Sequence, residues 1–260
     1  MAKRAESSKA APPRKAPAPR RKPDPHEADP LWPMVDAALR ERIGALPLDK
    51  KLAARALQIA DELAIEFPDA KCALDHQGPL QLLVATILSA QCTDARVNMV
   101  TPALFRKYPT AADFAAAPEG ELEQDIHSTG FFNNKAKAIR AACADIEARF
   151  GGQVPQAMED LLTLRGVARK TANVVRCNCF GYPALTVDTH FQRIMGRLGL
   201  SKAEEPEKIE ADVARLLPPS RWSHFCHAVI LHGRATCAAR RPKCDDCRLV
   251  ALCPSAFKVK

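Results

Sequence analysis

The feature that most constrains the fold is the spacing of the apolar residues, which follows the period of an α-helix and is interrupted at short intervals by proline or glycine. Leu48–Phe67 is the clearest amphipathic segment, and it ends before Pro68. Further helices are predicted at 35–43, 79–90, 94–107, 118–128, 134–150, 156–163, 169–179, 189–198, 205–217 and 220–235. No segment of useful length alternates apolar and polar residues as a strand does. The sequence therefore predicts an all-α fold with two helical lobes and a ligand cleft between them.

The N-terminal segment differs from the rest of the chain in composition. Residues 1–30 are rich in alanine, proline, lysine and arginine, and they contain too few apolar side chains to offset the entropy lost on ordering. We expect a disordered basic arm that raises non-specific affinity for DNA. The alternatives are a solvated tail without a role and a mitochondrial or plastid transit peptide, against which the absence of an amphipathic helical face argues. The whole chain carries a net charge of +8, which suits an anionic partner such as nucleic acid.

The sequence contains no membrane or export signal. No apolar run approaches the roughly 18 residues that a membrane helix needs, and residues 1–30 lack the apolar core of a secretory signal. We expect a cytoplasmic protein with no membrane partner, in which isolated cysteines are reduced thiols inside helical packing. Six of the ten cysteines are of this scattered kind: Cys72, Cys92, Cys143, Cys177, Cys179 and Cys226.

A turn that contains glycine and basic residues lies between the predicted helices 156–163 and 169–179. Gly166 lies in this turn, and Arg165 and Arg169 add positive charge. Unpaired N–H groups and the helix dipole at such a helix start favour a phosphate, although a plain helix connector has the same pattern. Lys170 falls in the first turn of the helix, where the dipole disfavours an ammonium ion. A neutral amine is the form that a nucleophilic lysine needs, and the alternatives are a solvated lysine and a phosphate contact.

A candidate acidic partner for this lysine lies in Val187–His190, directly before another predicted helix. Asp188 is a good N-cap residue for that helix. If its carboxylate also faced Lys170 across a cleft, it could stabilise an oxocarbenium ion or accept a proton during cleavage of a glycosidic bond. Composition and periodicity do not pair these two residues.

Four cysteines near the C-terminus follow the spacing C-x6-C-x2-C-x5-C: Cys237, Cys244, Cys247 and Cys253. In a reducing compartment such a set indicates a metal site, and the spacing alone fits either zinc or an iron–sulfur cluster. The enclosed run Ala238–Lys243 is basic, with Arg240, Arg241 and Lys243. A bound metal group would fix this loop with its charges toward a phosphate backbone, whereas a purely structural site is the alternative.

Together these motifs resemble the endonuclease III family of bifunctional DNA glycosylases, which belongs to the helix-hairpin-helix superfamily. The resemblance runs from about residue 50 to residue 254, and the basic arm lies outside it. It is carried by Leu88–Asp94, Thr129–Ala136, the hairpin 164–175, Val187–His190, and Leu231–Arg234 with the four cysteines. The hairpin departs from the usual family pattern, because Arg165 stands in place of proline and Ala168 in place of a second glycine.

The resemblance implies a role for each matching residue. Lys170 corresponds to the nucleophile, Asp188 to the catalytic carboxylate, and the four cysteines to the ligands of one 4Fe–4S cluster. Gln91 matches the residue that fills the gap left by an extruded nucleotide, and Phe131 matches a wedge against the opposite strand. The other implied DNA contacts are Arg165, Gly166, Ala168, Arg169, His190, Arg240, Arg241 and Lys243.

The implied organisation places N-terminal helices at 31–71 against a cluster domain at 183–260. A six-helix barrel domain at 72–182 contains the hairpin at about 156–179. The implied partner is double-stranded DNA with damaged pyrimidines or abasic sites, bound by a monomer. The alternatives are a DNA-binding iron–sulfur damage sensor with little catalysis, an adenine–mismatch glycosylase, and a zinc-stapled helical interaction module. The mismatch glycosylases lack a lysine at the position of Lys170.

Overall fold

The structure, a computed structural model, describes residues 24–259. Every regular element in this range is helical, which confirms the predicted all-α fold. The α-helices of this range are α1 Ala37–Ala45, α2 Lys50–Glu66, α3 Pro79–Leu88, α4 Asp94–Lys107, α5 Ala111–Ala115, α6 Glu121–Asp125, α7 Phe132–Phe150, α8 Met158–Thr163, α9 Arg169–Phe180, α10 Thr189–Leu198, α11 Pro206–Leu216 and α12 Pro219–Ala235. Of these described helices, none has both the length and the apolar character needed to cross a membrane.

The helices pack around two separate apolar cores. Helices α3–α9 form the central lobe, whose core includes Phe114 and Ile139 and extends from Leu74 to Val175. Helices α1, α2 and α10–α12 form the terminal lobe, whose core surrounds Trp222 and Phe225. The described chain therefore begins in the terminal lobe, passes through the central lobe and returns. The polypeptide crosses between the lobes before α3 and after α9, so both lobes contribute to the region where they meet.

Two helices of the central lobe differ from the prediction. The short helix α5 was not predicted; its N-cap residue is Thr110, whose hydroxyl accepts a hydrogen bond from the Asp113 N–H at 3.2 Å. The predicted helix 118–128 is only α6, followed by a 3₁₀ turn at His127–Thr129. Gly120 precedes α6 with a φ of +87°, so the chain cannot be helical as early as residue 118.

The predicted disordered arm includes residues 24–30, and for these residues the prediction is wrong. Pro25–Ala28 forms a 3₁₀ helix that packs on the terminal lobe. The buried Asp24 accepts a hydrogen bond from Nη1 of Arg215 at 2.6 Å, and the Ser220 hydroxyl donates to Asp29 at 2.6 Å. These contacts give residues 24–30 the polar partners that their composition did not reveal. Residues 1–23 of the predicted arm lie outside the described residues.

Candidate active site and cysteine loop

The predicted hairpin is formed by α8 and α9 with a turn at Leu164–Ala168. Leu164 and Val167 are buried in the central lobe, and they anchor the turn from below. Gly166 lies between them and is exposed to solvent. Ala168, the N-cap residue of α9, is exposed as well. The N–H groups of Gly166 and Ala168 donate to no group in the part of the chain that the structure describes. Free N–H groups at a helix start are the donors that a phosphate oxygen requires.

The backbone of the turn depends on Gly166. Its φ is +78°, and a Cβ added there would lie 2.8 Å from the Cβ of Ala138 in α7. Ala138 thus occupies the space that any other residue would need. Ala168, in contrast, has a φ of −91° and a ψ of 170°, an extended conformation open to any residue. The alanine that replaces the family's second glycine is therefore accommodated without left-handed backbone strain.

A cleft of about 510 Å³ lies between the two lobes, and it contains both predicted catalytic residues. Lys170 projects from the first turn of α9 in the central lobe, and its side chain is exposed. Asp188 is the N-cap of α10 in the terminal lobe, where its Oδ1 accepts a hydrogen bond from the Phe191 N–H at 2.7 Å. The fold thus brings an amine and a carboxylate to one cavity from opposite lobes, which spacing alone did not predict.

Other polar groups line the same cleft. Asp94 begins α4 in the central lobe, and it accepts a hydrogen bond at 2.7 Å from Nη2 of Arg234 in α12 of the terminal lobe. Nε2 of His227 lies 3.1 Å from Oδ1 of Asn178. Burial lowers the pKa of the His227 imidazole, so this ring is neutral near pH 7. The cleft wall therefore combines an ion pair between the lobes with a neutral imidazole.

The Arg169 side chain, which was predicted to add charge for a phosphate, lies against carboxylates of the protein. Its Nε donates to Oε2 of Glu210 at 2.6 Å, and its Nη2 donates to Oδ2 of Asp36 at 2.9 Å. Both carboxylates belong to the terminal lobe, and Glu210 is buried. Burial raises the pKa of the Glu210 carboxyl, and its hydrogen bond to Arg169 opposes that rise. Arg169 therefore joins the lobes, and its guanidinium faces protein carboxylates.

The sequence did not indicate the residues that link the helix of Lys170 to the segment of Asp188. The buried Asn173 follows Arg169 by one helical turn, and its Nδ2 donates to Glu210 at 2.9 Å and to the Leu185 carbonyl at 3.1 Å. The segment after Leu185 leads to Asp188. The available signal was Glu210 itself, a carboxylate beside the apolar stripe of α11, because a buried charge needs a partner.

The buried thiol of Cys226 provides a further contact to the segment that leads to Asp188. Its Sγ accepts a hydrogen bond from the Thr186 N–H at 3.1 Å and lies 3.3 Å from the Thr186 carbonyl oxygen. Burial raises the pKa of this thiol to about 12, so it remains protonated. The sequence predicted a reduced, buried thiol at this position but not its contact with the chain before Asp188.

The two residues predicted to enter the DNA helix are exposed on loops of the central lobe. Gln91 follows α3 with a φ of 52°, and Phe131 precedes α7 with a φ of 48°. Left-handed backbone at a residue other than glycine costs roughly 1–2 kcal/mol. Phe131 is 62% exposed, which is unusual for so large an apolar side chain. Both positions thus combine strain with exposure, a combination that is common at binding sites.

The four predicted metal ligands line one pocket next to α10 and α12. None of these cysteines forms a disulfide. Nη1 of Arg197 donates to Sγ of Cys237 at 3.2 Å and to the Ala238 carbonyl at 2.7 Å, so the loop is held by α10. Among the described residues, no three histidine, cysteine, aspartate or glutamate side chains converge closely enough to share one metal ion. Four free thiols around one pocket are nevertheless a donor set that fits an iron–sulfur cluster.

The basic side chains within the cysteine loop are exposed. Arg240, Arg241 and Lys243 are all exposed, Lys243 also lines the pocket of the four cysteines, and Arg241 has a φ of 51°. Arg165 of the hairpin is exposed as well. His190, in contrast, is half-buried, and its Nδ1 lies 3.2 Å from Nη2 of Arg193. The DNA contacts implied for these residues stay predictions.

Comparison with known proteins identifies the family. Residues 84–219 match the model of the HhH-GPD superfamily base excision DNA repair proteins. Over 203 residues the chain is 58% identical to endonuclease III of Synechocystis sp., an alignment that covers 78% of this chain and 93% of the relative. The chain belongs to the endonuclease III family. Endonuclease III of Bacillus subtilis is 45% identical over 76% of this chain and 91% of its own, and that of Escherichia coli is 37% identical over 79% and 98%.

Two solved structures of endonuclease III with DNA have the same fold. One is a trapped covalent intermediate with DNA in an estranged-adenine complex, and the other is a non-covalent complex. Each is 44% identical to this chain with a TM-score of 0.76 over 82% of it, and they are covered to 99% and 98%. The match includes both lobes of the endonuclease III fold, since it extends over nearly the whole of those chains.

The close approach at Gly166 generates a stability prediction. We expect Gly166→Ala to lower the free energy of unfolding by about 3 kcal/mol, from left-handed strain together with the clash against Ala138. Gly181 is the matched control, because its φ is +71° but no atom of the described residues lies within 4 Å of an added Cβ. Gly181→Ala should cost only about 1 kcal/mol, which is the strain alone. Urea unfolding measures both values, and equal losses would show that the contact with Ala138 contributes nothing.

Proposed function

We propose that this protein is a base-excision repair DNA glycosylase with abasic-site lyase activity that removes oxidised pyrimidines from duplex DNA. The observation that carries the proposal is the cleft that Lys170 and Asp188 line from opposite lobes. Its volume of about 510 Å³ lies within the range of small-molecule pockets. The covalent intermediate with DNA described for a 44% identical endonuclease III supports a reaction that passes through a covalent bond between enzyme and DNA.

The proposed reaction begins with extrusion of the damaged nucleotide from the duplex, at an unstacking cost of a few kcal/mol. Gln91 fills the gap and Phe131 wedges against the opposite strand. The hairpin holds the backbone through the N–H groups of Gly166 and Ala168, which have no acceptor among residues 24–259, with the exposed Arg165 adding charge. Arg240, Arg241 and Lys243 contact phosphates further along the duplex.

Covalent catalysis follows once the sugar lies in the cleft. The Nζ lone pair of Lys170 attacks C1′, the N-glycosidic bond breaks, and the base leaves as an anion that water protonates. Asp188 stabilises the positive charge that develops on the sugar and accepts the proton that the amine releases. The C1′–O4′ bond then breaks, O4′ takes the proton from Asp188, and the nitrogen lone pair forms a Schiff base between Lys170 and C1′. This Schiff base acidifies C2′, so loss of a C2′ proton breaks the C3′–O bond and expels the 3′ phosphate by β-elimination. Water then hydrolyses the Schiff base and frees the lysine.

Cys237, Cys244, Cys247 and Cys253 would hold one 4Fe–4S cluster. The cluster supplies a rigid cross-link of the loop when it is bound. The role of the chain is to present the loop: Arg197 fixes the carbonyl of Ala238, and the basic side chains of the loop face solvent. We expect the protein to act as a monomer on double-stranded DNA.

Borohydride trapping tests the nucleophile. The native protein with an oxidised pyrimidine in duplex DNA should give a covalent adduct, because borohydride reduces the Schiff base to a stable amine. Lys170→Ala should give none. Lys71 also lines the cleft, so Lys71→Ala is the matched variant. An adduct that persists in Lys170→Ala, or one that is lost only in Lys71→Ala, would overturn the assignment.

Substitution of Asp188 by asparagine tests the carboxylate without removing the helix cap, since both residues cap helices equally well. Asp188→Asn should lower the single-turnover rate of base release by about 10²-fold, which is typical for loss of one charge-stabilising group. The thermal midpoint should change little. A rate equal to that of the native protein would restrict Asp188 to its capping role.

The metal content separates the iron–sulfur proposal from a zinc-stapled module. The purified protein should be brown and contain iron and acid-labile sulfide in equal amounts. Cys244→Ser should lose the visible absorption and weaken DNA binding, because the basic loop is no longer fixed. Cys179→Ser removes a thiol of the central lobe and should retain the colour. A colourless protein that contains zinc would contradict the cluster.

A further inference from the structure

Lys135 has an environment that is unusual for a lysine. It lies near the start of α7 and is only 6% exposed. Its Nζ donates to the main-chain carbonyl of Leu88 at 2.7 Å and to that of Thr129 at 2.8 Å. Burial lowers the pKa of this amine, which reflects the cost of holding a charge away from water. Two neutral carbonyls offset that cost less than a carboxylate would, so burial of the Lys135 ammonium costs free energy.

The two carbonyls belong to the bases of the two loops that carry the predicted DNA-inserting residues. Leu88 is the last residue of α3, and Gln91 follows three residues later. Thr129 ends the 3₁₀ turn His127–Thr129, and Phe131 follows two residues later. Gln91 and Phe131 are two of the few non-glycine residues with positive φ in the described range. Lys135 therefore bridges two loops that are more than forty residues apart in the chain.

We propose that Lys135 is a positioning residue that fixes the separation of Gln91 and Phe131, so that both side chains enter the DNA together when a nucleotide is extruded. The inference rests on the proposed function, because it needs these two residues to act in the duplex. Hydrogen bonds from a charged donor are stronger than those from a neutral one, and a single ammonium can hold two carbonyls at a set distance. An apolar side chain of the same length would fill the space and leave the loops uncoupled.

Lys135→Met removes the charge and both hydrogen bonds while it keeps an unbranched side chain that is only one atom shorter. Lys137 lies on the same helix and is exposed, so Lys137→Met is the matched control. Displacement of an inserting group by an ångström costs up to about 10²-fold in rate, and we expect at least ~10-fold slower base release from duplex DNA in Lys135→Met. The fluorescence of 2-aminopurine next to the lesion reports unstacking directly, and its rise should be reduced in Lys135→Met only.

A substrate that needs no extrusion separates positioning from a general loss of structure. Borohydride trapping on an abasic site in single-stranded DNA should be equal for the native protein, Lys135→Met and Lys137→Met. Loss of trapping on this substrate in Lys135→Met would overturn the proposal, because the defect would then reach the chemistry of the cleft. If Lys135→Met does not fold, Lys135→Gln is measured against the same criteria.

A double-mutant test identifies the residues through which Lys135 acts. In a Gln91→Ala/Phe131→Ala background, Lys135→Met should slow base release by less than about twofold, since there is nothing left to position. An undiminished effect of Lys135→Met on base release in that background would contradict a positioning role that acts through Gln91 and Phe131. A native protein that unstacks the marker base but releases no damaged base would contradict the proposed function, and the fluorescence difference between the variants would still decide the role of Lys135.

Discussion

The arrangement of the site depends on the buried ion pair between Arg169 and Glu210. Arg169 directly precedes Lys170 in the first turn of α9, and Glu210 belongs to α11 of the other lobe. Removal of one partner from such a pair leaves a buried charge and costs roughly 3–5 kcal/mol, so the two helices are held in one relative position. Asn173 extends the same network to the chain before Asp188 through the Leu185 carbonyl. The amine and the carboxylate are thus fixed relative to each other by polar contacts that neither of them makes.

Helix α10 connects the cleft to the cysteine loop. Asp188 caps the N-terminus of α10. Further along the same helix, Arg193 and Arg197 donate to main-chain carbonyls of the cysteine loop. The helix has ten residues, which corresponds to about 15 Å of length. These contacts connect the cysteine loop to the helix that Asp188 caps. In the proposed mechanism the cysteine site supports catalysis from a distance, through the orientation of one helix, and takes no part in the chemistry.

The sequence predicted most of the helices and both catalytic candidates, because periodicity and motifs depend on local residues. It could not predict contacts that depend on the direction of a side chain in the folded protein. Arg169 illustrates this limit: its position in a basic turn indicated a phosphate ligand, but the inward face of α9 turns its guanidinium toward Glu210. Lys135 illustrates it as well, since nothing in the local sequence indicates that its ammonium bridges two distant carbonyls. Residues 24–30 were misjudged because composition does not reveal a partner such as Arg215.

The departures in the hairpin bear on the alternative of a damage sensor with little catalysis. That alternative requires a turn that holds DNA poorly or in the wrong place. The turn needs a glycine at Gly166, where φ is positive and Ala138 leaves no room, and the glycine is present. Ala168 lies in extended backbone, so its methyl group alters the surface and not the path of the chain. Arg165 lacks the rigidity of the proline that it replaces, but the buried Leu164 and Val167 hold the turn on either side. The shape that delivers Lys170 is therefore retained, and the substitutions change only what the hairpin presents to the DNA backbone.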